Sequence, residues 1–303
     1  MSAARASVLL VIAAGVLFGT AGTAQALGPE GTTPLGVGIL RIQVGALALL
    51  VAMPLVGESP RVLPALWRTR PMLATALTAA AYQLCFFAGV SLAGVALGTL
   101  VAVGSAPIFA GLFGWVVLRH RPTRAWALAT VICLVGLALL STPGLTAGGS
   151  PLGLLLALGS GMCIAGYNVA AKVQLNHGAS PLAVPAGSFI LGGILLIPIL
   201  ATQPLTWLTQ PSGLVLAVYL GVETMAVANV LLARGIHGLS AGPVATLMLS
   251  DPVVATVLGV VVLGEVLAPV AVAGMVLVLG GLLLQGVMVA RGGPDEAEPV
   301  PVL

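Results

Sequence analysis

Three ionisable residues, Arg41, Glu223 and Asp251, lie inside long runs of apolar residues. If these runs cross a lipid bilayer, a charge at the centre of a helix costs about 2.5 to 3.5 kcal/mol, so such groups normally face a bundle interior or a water-filled cavity. At about 1.5 Å per residue, Glu223 and Asp251 both lie near the bilayer midplane. Two carboxylates in one cavity would repel each other, and together they would be able to hold a proton.

Each of these charged residues also has a purely structural interpretation. The Ser-Asp-Pro sequence around Asp251 is typical of a helix N-cap followed by proline, so this carboxylate could accept hydrogen bonds from backbone amides. Glu223 could instead form a buried ion pair with Arg41. Arg41 lies about 10 Å below the outer end of its apolar run, from where its side chain could reach water or bind the carboxylate of an amino-acid-like solute.

Neutral polar residues and two prolines occur in the same apolar runs. Pro107 and Pro252 each remove a backbone N–H and leave a carbonyl about four residues earlier, at Val103 and Met248, without its helical partner. These prolines are therefore candidate hinges. Side chains that could line the same cavity, or form hydrogen bonds between helices, are Gln25, Tyr82, Gln83, Tyr167, Asn168 and Asn229.

The composition places the chain in a membrane. Of the 303 residues, 59% are hydrophobic and 6% charged, whereas roughly a quarter of the residues in soluble domains are charged. Glycines spaced as Gly15-x-x-x-Gly19 and Gly94-x-x-x-Gly98 are candidate contacts between helices. Ten apolar runs are long enough to span a bilayer: 6–25, 34–56, 71–90, 94–118, 124–142, 152–171, 182–201, 212–233, 241–263 and 268–290.

The chain contains two related halves. Ser105 and Pro107 recur as Ser250 and Pro252, at an offset of 145 residues, and many glycines follow the same register. Earlier in each half the offset is 147. Because each half has an odd number of spans, the halves must enter the membrane from opposite sides. The sequence thus predicts an all-α integral membrane protein of two inverted five-helix repeats, 1–145 and 146–290, with a disordered cytoplasmic tail at 291–303.

The basic residues predict the orientation. With the N-terminus in the cytoplasm, every Lys and Arg except Arg41 lies on the cytoplasmic side, as the positive-inside rule requires. Lys172 then serves as a topology anchor. The bases form no run or stripe, so nucleic acid is not an expected partner. The first span resembles a cleavable signal peptide ending in Ala24-Gln25-Ala26, but it belongs to the first repeat, which argues against cleavage.

These features resemble the drug/metabolite transporter superfamily, and specifically its EamA-type ten-helix members. The resemblance rests on the turns Thr33-Pro34 and Ser180-Pro181, the early Arg41, the central Ser-x-Pro of each repeat, Gly264-Glu265, and glycines in the last helix of each repeat. Arg119-His120 in the first repeat departs from the Gly-Glu pattern. The resemblance implies a ten-helix fold and solute transport, and it leaves the solute open.

Taken together, the sequence predicts a multi-pass secondary transporter of the plasma (inner) membrane, acting as a monomer or homodimer. It is expected to export small metabolites such as amino acids, with possible coupling to protons; the alternative substrates are lipophilic cationic drugs, and the alternative classes are a passive channel and a membrane receptor. No nucleophile with a base, metal-ligand spacing or phosphate-binding loop occurs, so neither enzymatic activity nor a cofactor is expected.

The charge map predicts that a cysteine at Gly148 is labelled from outside the cell by an impermeant thiol reagent and that one at Thr123 is not. Labelling of intact cells and of permeabilised cells checks this. The reverse pattern would contradict both the orientation and the inverted repeat.

Overall fold

The computed structural model describes residues 3–142 and 150–291. Within these ranges the chain is helical, with short connecting turns and no strand. The loop position Gly148 and all of the predicted tail after Arg291 lie outside the described residues.

Within the described residues, ten helices are long and apolar enough to cross a membrane, as the sequence predicts. We label them α1 to α10 in chain order: Ala4–Ala26, Pro34–Leu55, Arg70–Ala93, Val95–Leu118, Arg124–Ser141, Pro151–Asn176, Ala183–Leu200, Pro211–His237, Ala241–Leu263 and Pro269–Ala290. A short 3-10 turn and a single α-helical turn precede α3, and a 3-10 turn at Thr206–Thr209 precedes α8. The main difference from the predicted limits is that α6 continues beyond the predicted end at residue 171 to Asn176, and it includes the buried Lys172.

Threonine caps set the start of several helices. The hydroxyl oxygens of Thr33 and Thr123 accept hydrogen bonds from the N–H groups of Gly36 and Trp126, each at 3.1 Å. Thr69 caps α3 in the same way. Each bond satisfies one of the amides that a helix N-terminus leaves without an internal partner.

Two helix contacts are related by the internal repeat and both depend on glycine. A Cβ atom added to Gly19 of α1 would lie 2.6 Å from the backbone oxygen of Asp251 in α9. In the other repeat, a Cβ atom on Gly161 of α6 would lie 2.5 Å from the backbone oxygen of Ala102 in α4. The first helix of each repeat thus packs directly on the fourth helix of the other repeat, because glycine lets the two backbones approach.

The last helices of the two repeats, α5 and α10, form a contact of the same kind. A Cβ atom on Gly136 would lie 2.7 Å from the backbone oxygen of Gly274, and one on Gly274 would lie 2.5 Å from that of Gly136.

The Gly94-x-x-x-Gly98 motif lies at the turn between α3 and α4, where Gly94 has a φ of +87° and Gly98 packs on the backbone of Val90. Gly15, Gly19 and Gly98 are therefore helix contacts, whereas Gly94 forms the turn.

Two hydrogen bonds tie α2 and α7 together at their opposite ends. The Thr33 hydroxyl donates to Oε1 of Gln203 at 3.0 Å, and the Ser180 hydroxyl donates to Oε2 of Glu58 at 2.5 Å. Thr33 and Ser180 occupy equivalent positions in the two repeats. Because both ends are tied in the same structure, α2 and α7 form a fixed pair.

The packing of α1 predicts opposite effects for two glycines on that helix. Gly19→Ala should lower the free energy of unfolding by about 1 to 3 kcal/mol, because the added methyl group overlaps the α9 backbone. Gly22→Ala should be neutral or stabilising by up to about 1 kcal/mol, because nothing lies within 4 Å of the added Cβ and alanine favours the helix. Thermal unfolding in detergent compares the two variants. Equal stabilities would contradict the close contact.

Candidate functional site

A cavity of about 160 Å³ lies at the centre of the helix bundle. Its lining comes from every membrane-length helix except α5 and α10. It contains seven of the polar or charged residues that the sequence predicts for the site: Arg41, Tyr82, Gln83, Tyr167, Asn168, Asn229 and Asp251. Gln25 is not part of this lining.

Arg41 and Asp251 give the cavity one positive and one negative group. The positive charge of Arg41 interacts with the Asp251 carboxylate, and both residues interact with the Tyr82 hydroxyl. Among the described residues, nothing hydrogen-bonds to the buried Nε of Arg41. Since a buried N–H without a hydrogen-bond partner is costly, this Nε is a donor that can bind an anionic group in the cavity.

The structure does not support the interpretation of Asp251 as a helix cap. Helix α9 is interrupted at Met248 and Leu249, and its second segment, Ser250–Leu263, has Leu249 at the N-cap with no side-chain hydrogen bond. The carboxylate of Asp251 therefore lies at the interruption and lines the cavity. It is available to a ligand because it is not used by the helix end.

The two prolines have different surroundings, so helix continuity around them is not symmetric. Helix α4 runs without interruption through Pro107, whereas α9 breaks just before Pro252. The Met248 carbonyl is also not left free, since it accepts a hydrogen bond from the N–H of Asp251 at 3.1 Å. Val103 and Met248 both line the cavity, so each proline does act on a cavity wall.

Glu223 does not join Asp251 in the cavity, which corrects the expectation of a shared carboxylate site. It lies half-buried in a π-helical segment, Leu220–Val227, in the middle of α8. Nor does it pair with Arg41: the charge that Arg41 interacts with is Asp251. A π segment adds a residue to the turn and rotates the side chains that follow it, a change that helical periodicity in the sequence does not reveal.

The neutral polar residues have distinct roles in the cavity wall. Gln83 is 1% exposed, and its Oε1 has no hydrogen-bond partner among the described residues. Asn229 is partly satisfied, because its Nδ2 donates to the Met225 carbonyl at 2.9 Å. The Tyr167 ring stacks on Phe189 with 6.2 Å between ring centroids. Gln83 therefore supplies an unpaired acceptor, and the aromatic pair supplies an apolar wall.

Lys172 has a role that the sequence did not indicate. Instead of reaching water as an anchor, it is 1% exposed, and its Nζ donates to the carbonyl oxygens of Ile236 and His237 at 2.9 and 2.7 Å. These carbonyls end α8, where a cation is favoured by the helix dipole. The lysine therefore joins α6 to the end of α8. The sequence placed Lys172 directly after the apolar run 152–171 and gave no sign of this burial.

Comparison with known proteins agrees with this architecture. The model of the EamA-like transporter family matches the chain twice, at residues 5–142 and 151–286. A solved crystal structure with 21% sequence identity superposes with a TM-score of 0.79 and covers 94% of this chain and 98% of its own, which supports the fold.

Three curated relatives span almost the whole chain. The uncharacterized transporter YwfM of Bacillus subtilis is 38% identical over 276 residues, covering 91% of this chain and 92% of its own. The threonine/homoserine exporter RhtA of Escherichia coli is 29% identical, covering 91% and 88%. A probable terminal-alkyne amino-acid exporter of Streptantibioticus cattleyicolor is also 29% identical, covering 89% of each chain. With two family matches that together span nearly all of its length, and ten membrane-length helices in its described residues, the chain belongs to the EamA-like transporter family and is a multi-pass membrane transporter.

Proposed function

We propose that this transporter exports small amino acids or related zwitterions, and that the substrate binds between Arg41 and Asp251. The observation that carries the proposal is the presence of one cation and one carboxylate in the same central cavity. A zwitterion neutralises both groups at once. A solute with only one charge would leave the other group unpaired in an apolar environment, which is costly.

The neighbouring residues suit the two ends of such a substrate. The planar guanidinium of Arg41 matches a carboxylate, and the unpaired Oε1 of Gln83 can accept a hydrogen bond from an ammonium group near Asp251. The names of two relatives, a threonine/homoserine exporter and a probable amino-acid exporter, support the same substrate class.

The size of the cavity favours a small solute over a drug. Its volume of about 160 Å³ is well above the roughly 15 Å³ that one water needs and below the roughly 300 Å³ at which drug-sized pockets begin. Arg41 also repels a lipophilic cation. Efflux of cationic drugs is therefore the less favoured alternative.

Coupling to protons follows from the position of Asp251. An ionised carboxylate in the cavity has to be neutralised before the helices around it can close and reorient. Either the substrate ammonium or a proton can do this, and the two compete for the same oxygens. Substrate moving outward and a proton moving inward would then alternate on Asp251, with each form selecting one orientation of the carrier.

Substitutions at the two charges test this mechanism. Arg41→Gln should weaken substrate binding about tenfold to a hundredfold, because it removes a charge-assisted hydrogen bond worth about 1.5 to 3 kcal/mol. Asp251→Asn should abolish accumulation driven by a pH gradient while leaving some exchange of labelled threonine, because the amide resembles the protonated acid. The measurement is uptake into proteoliposomes, with and without the gradient.

Glu223→Gln is the matched control, because it removes a carboxylate in the membrane that does not line the cavity. It should keep the pH dependence. Gradient-driven accumulation that persists in Asp251→Asn and is lost in Glu223→Gln would overturn the assignment. Flux that follows the substrate gradient alone in the wild type would contradict coupling to protons and would leave a passive channel or an uncoupled carrier. Comparison of metabolites released by deletion and overexpressing cells identifies the exported solute.

The two prolines should differ in their effect on transport. Pro252→Ala restores an N–H at the interruption of α9, which favours a continuous helix and should slow exchange. Pro107→Ala changes a helix that is already continuous and should have the smaller effect. Initial exchange rates at matched expression compare the variants. A larger loss in Pro107→Ala would show that α4, and not α9, is the moving element.

A further inference from the structure

A second cavity, of about 400 Å³, lies at the end of the bundle where α4 ends and α5 and α9 begin. We call it the basic pocket. Its polar lining residues are basic or hydroxylic, namely Arg119, His120, Arg121, Thr123 and Ser240. None of its described lining residues is Asp or Glu. The rest of its wall is made of glycine, alanine, proline and the indole ring of Trp126.

The wall of the basic pocket is rigid. The Trp126 ring is 9% exposed, and its Nε1 donates to the Thr246 hydroxyl at 3.1 Å. Thr246 in turn shares a hydrogen bond of 2.8 Å with Thr130. Gly111 and Gly242 lie directly against the ring, and a Cβ atom on either would overlap it. The pocket is thus a preformed cavity between the two repeats.

The equivalent turn of the second repeat shows that the arginine is not required by the backbone. The N–H of His120 donates to the Gly114 carbonyl at 3.1 Å, and at the repeat-equivalent turn the N–H of Glu265 donates to Gly259 at the same distance. The residue preceding each donor is left-handed: Arg119 has a φ of 60°, and its equivalent Gly264 has a φ of 72°.

Arg119 is the only non-glycine residue with positive φ in the described part of the chain. Glycine adopts this conformation at little cost, whereas any residue with a Cβ atom is disfavoured there. The first repeat therefore carries a guanidinium where glycine would suit the turn better. A function of the Arg119 charge would explain why arginine occupies this unfavourable backbone position.

We propose that the basic pocket is a binding site for a phosphate group. Two guanidinium groups can neutralise a phosphate, and arginine matches its oxygens with paired hydrogen bonds. By the distribution of basic residues, the pocket faces the cytoplasm at the membrane surface, where acidic phospholipids present phosphate and where soluble phosphates are also available. Both sources share the chemistry that the pocket recognises.

The site is tested by binding to the delipidated, purified full-length protein. Three probes are titrated: phosphatidylglycerol, phosphatidylcholine with the same acyl chains, and inorganic phosphate. Native mass spectrometry counts bound lipid, and the midpoint of thermal unfolding reports on binding of all three probes. We expect saturable binding of phosphatidylglycerol that is tighter than that of phosphatidylcholine.

The informative variant is Arg119→Gly combined with Arg121→Gln, because glycine is the residue that the equivalent turn already uses. It should bind phosphatidylglycerol at least about tenfold more weakly, since it loses two charge-assisted contacts. Arg121→Gln alone leaves the left-handed turn unchanged, and it should weaken phosphatidylglycerol binding by a smaller factor than the double variant. The matched control is Arg61→Gln with Arg68→Gln, which removes two exposed arginines of another loop on the same face.

The control should bind as the wild type does. If inorganic phosphate binds with the same dependence on Arg119 and Arg121, the ligand is a soluble phosphate and the site stands. If only the lipid binds with this dependence, the ligand is a headgroup and the site also stands. Equal weakening in the test and control variants, or no weakening in the test variant, would overturn the proposal, because the arginines would then act only through general surface charge.

Discussion

The interruption of α9 at Met248 and Leu249 is the feature on which the central site depends. In a bilayer, backbone groups that lose their helical partners must be buried against protein, because lipid offers no hydrogen bonds. Gly15 and Gly19 let α1 cover this break directly. The same break places Asp251 on the cavity wall, where its charge faces Arg41 and not lipid.

The inverted repeat supplies a common framework in which local differences create function. Equivalent glycine contacts join α1 to α9 and α6 to α4, and equivalent turns carry the ties at either end of α2 and α7. The two repeats differ in two pairs of equivalent helices, and in both pairs it is the helix of the second repeat that is irregular. Helix α9 is broken where α4 is continuous, and α8 has a π segment where α3 is a regular helix.

The free-energy cost of placing a charge in lipid determines where the ionisable residues of this protein lie. Arg41 and Asp251 interact with each other, and Lys172 is buried but bonded to the last carbonyls of α8. The exposed bases lie in the loops or near the ends of helices, where water and lipid headgroups solvate them. The arginines of the basic pocket combine both situations. They are exposed to solvent, and they also border a cavity whose wall includes the hydrogen-bonded indole of Trp126.

Much of the architecture was predictable because it follows from local chemistry. Long apolar runs must become helices in lipid, since helices satisfy their own backbone, and the recurrence of Ser105 and Pro107 as Ser250 and Pro252 reveals two halves. The position of polar residues inside apolar runs also selected most of the polar cavity residues, including Arg41, Gln83 and Asp251. Tertiary structure decided features that depth along a helix does not determine. Glu223 has the right depth but lies in a π segment outside the cavity lining. The Met248 carbonyl accepts a hydrogen bond from the N–H of Asp251, and Lys172 is directed into the protein. Which way a side chain faces depends on helix rotation and on contacts with segments distant in sequence, and the spacing of residues along one chain does not encode these contacts.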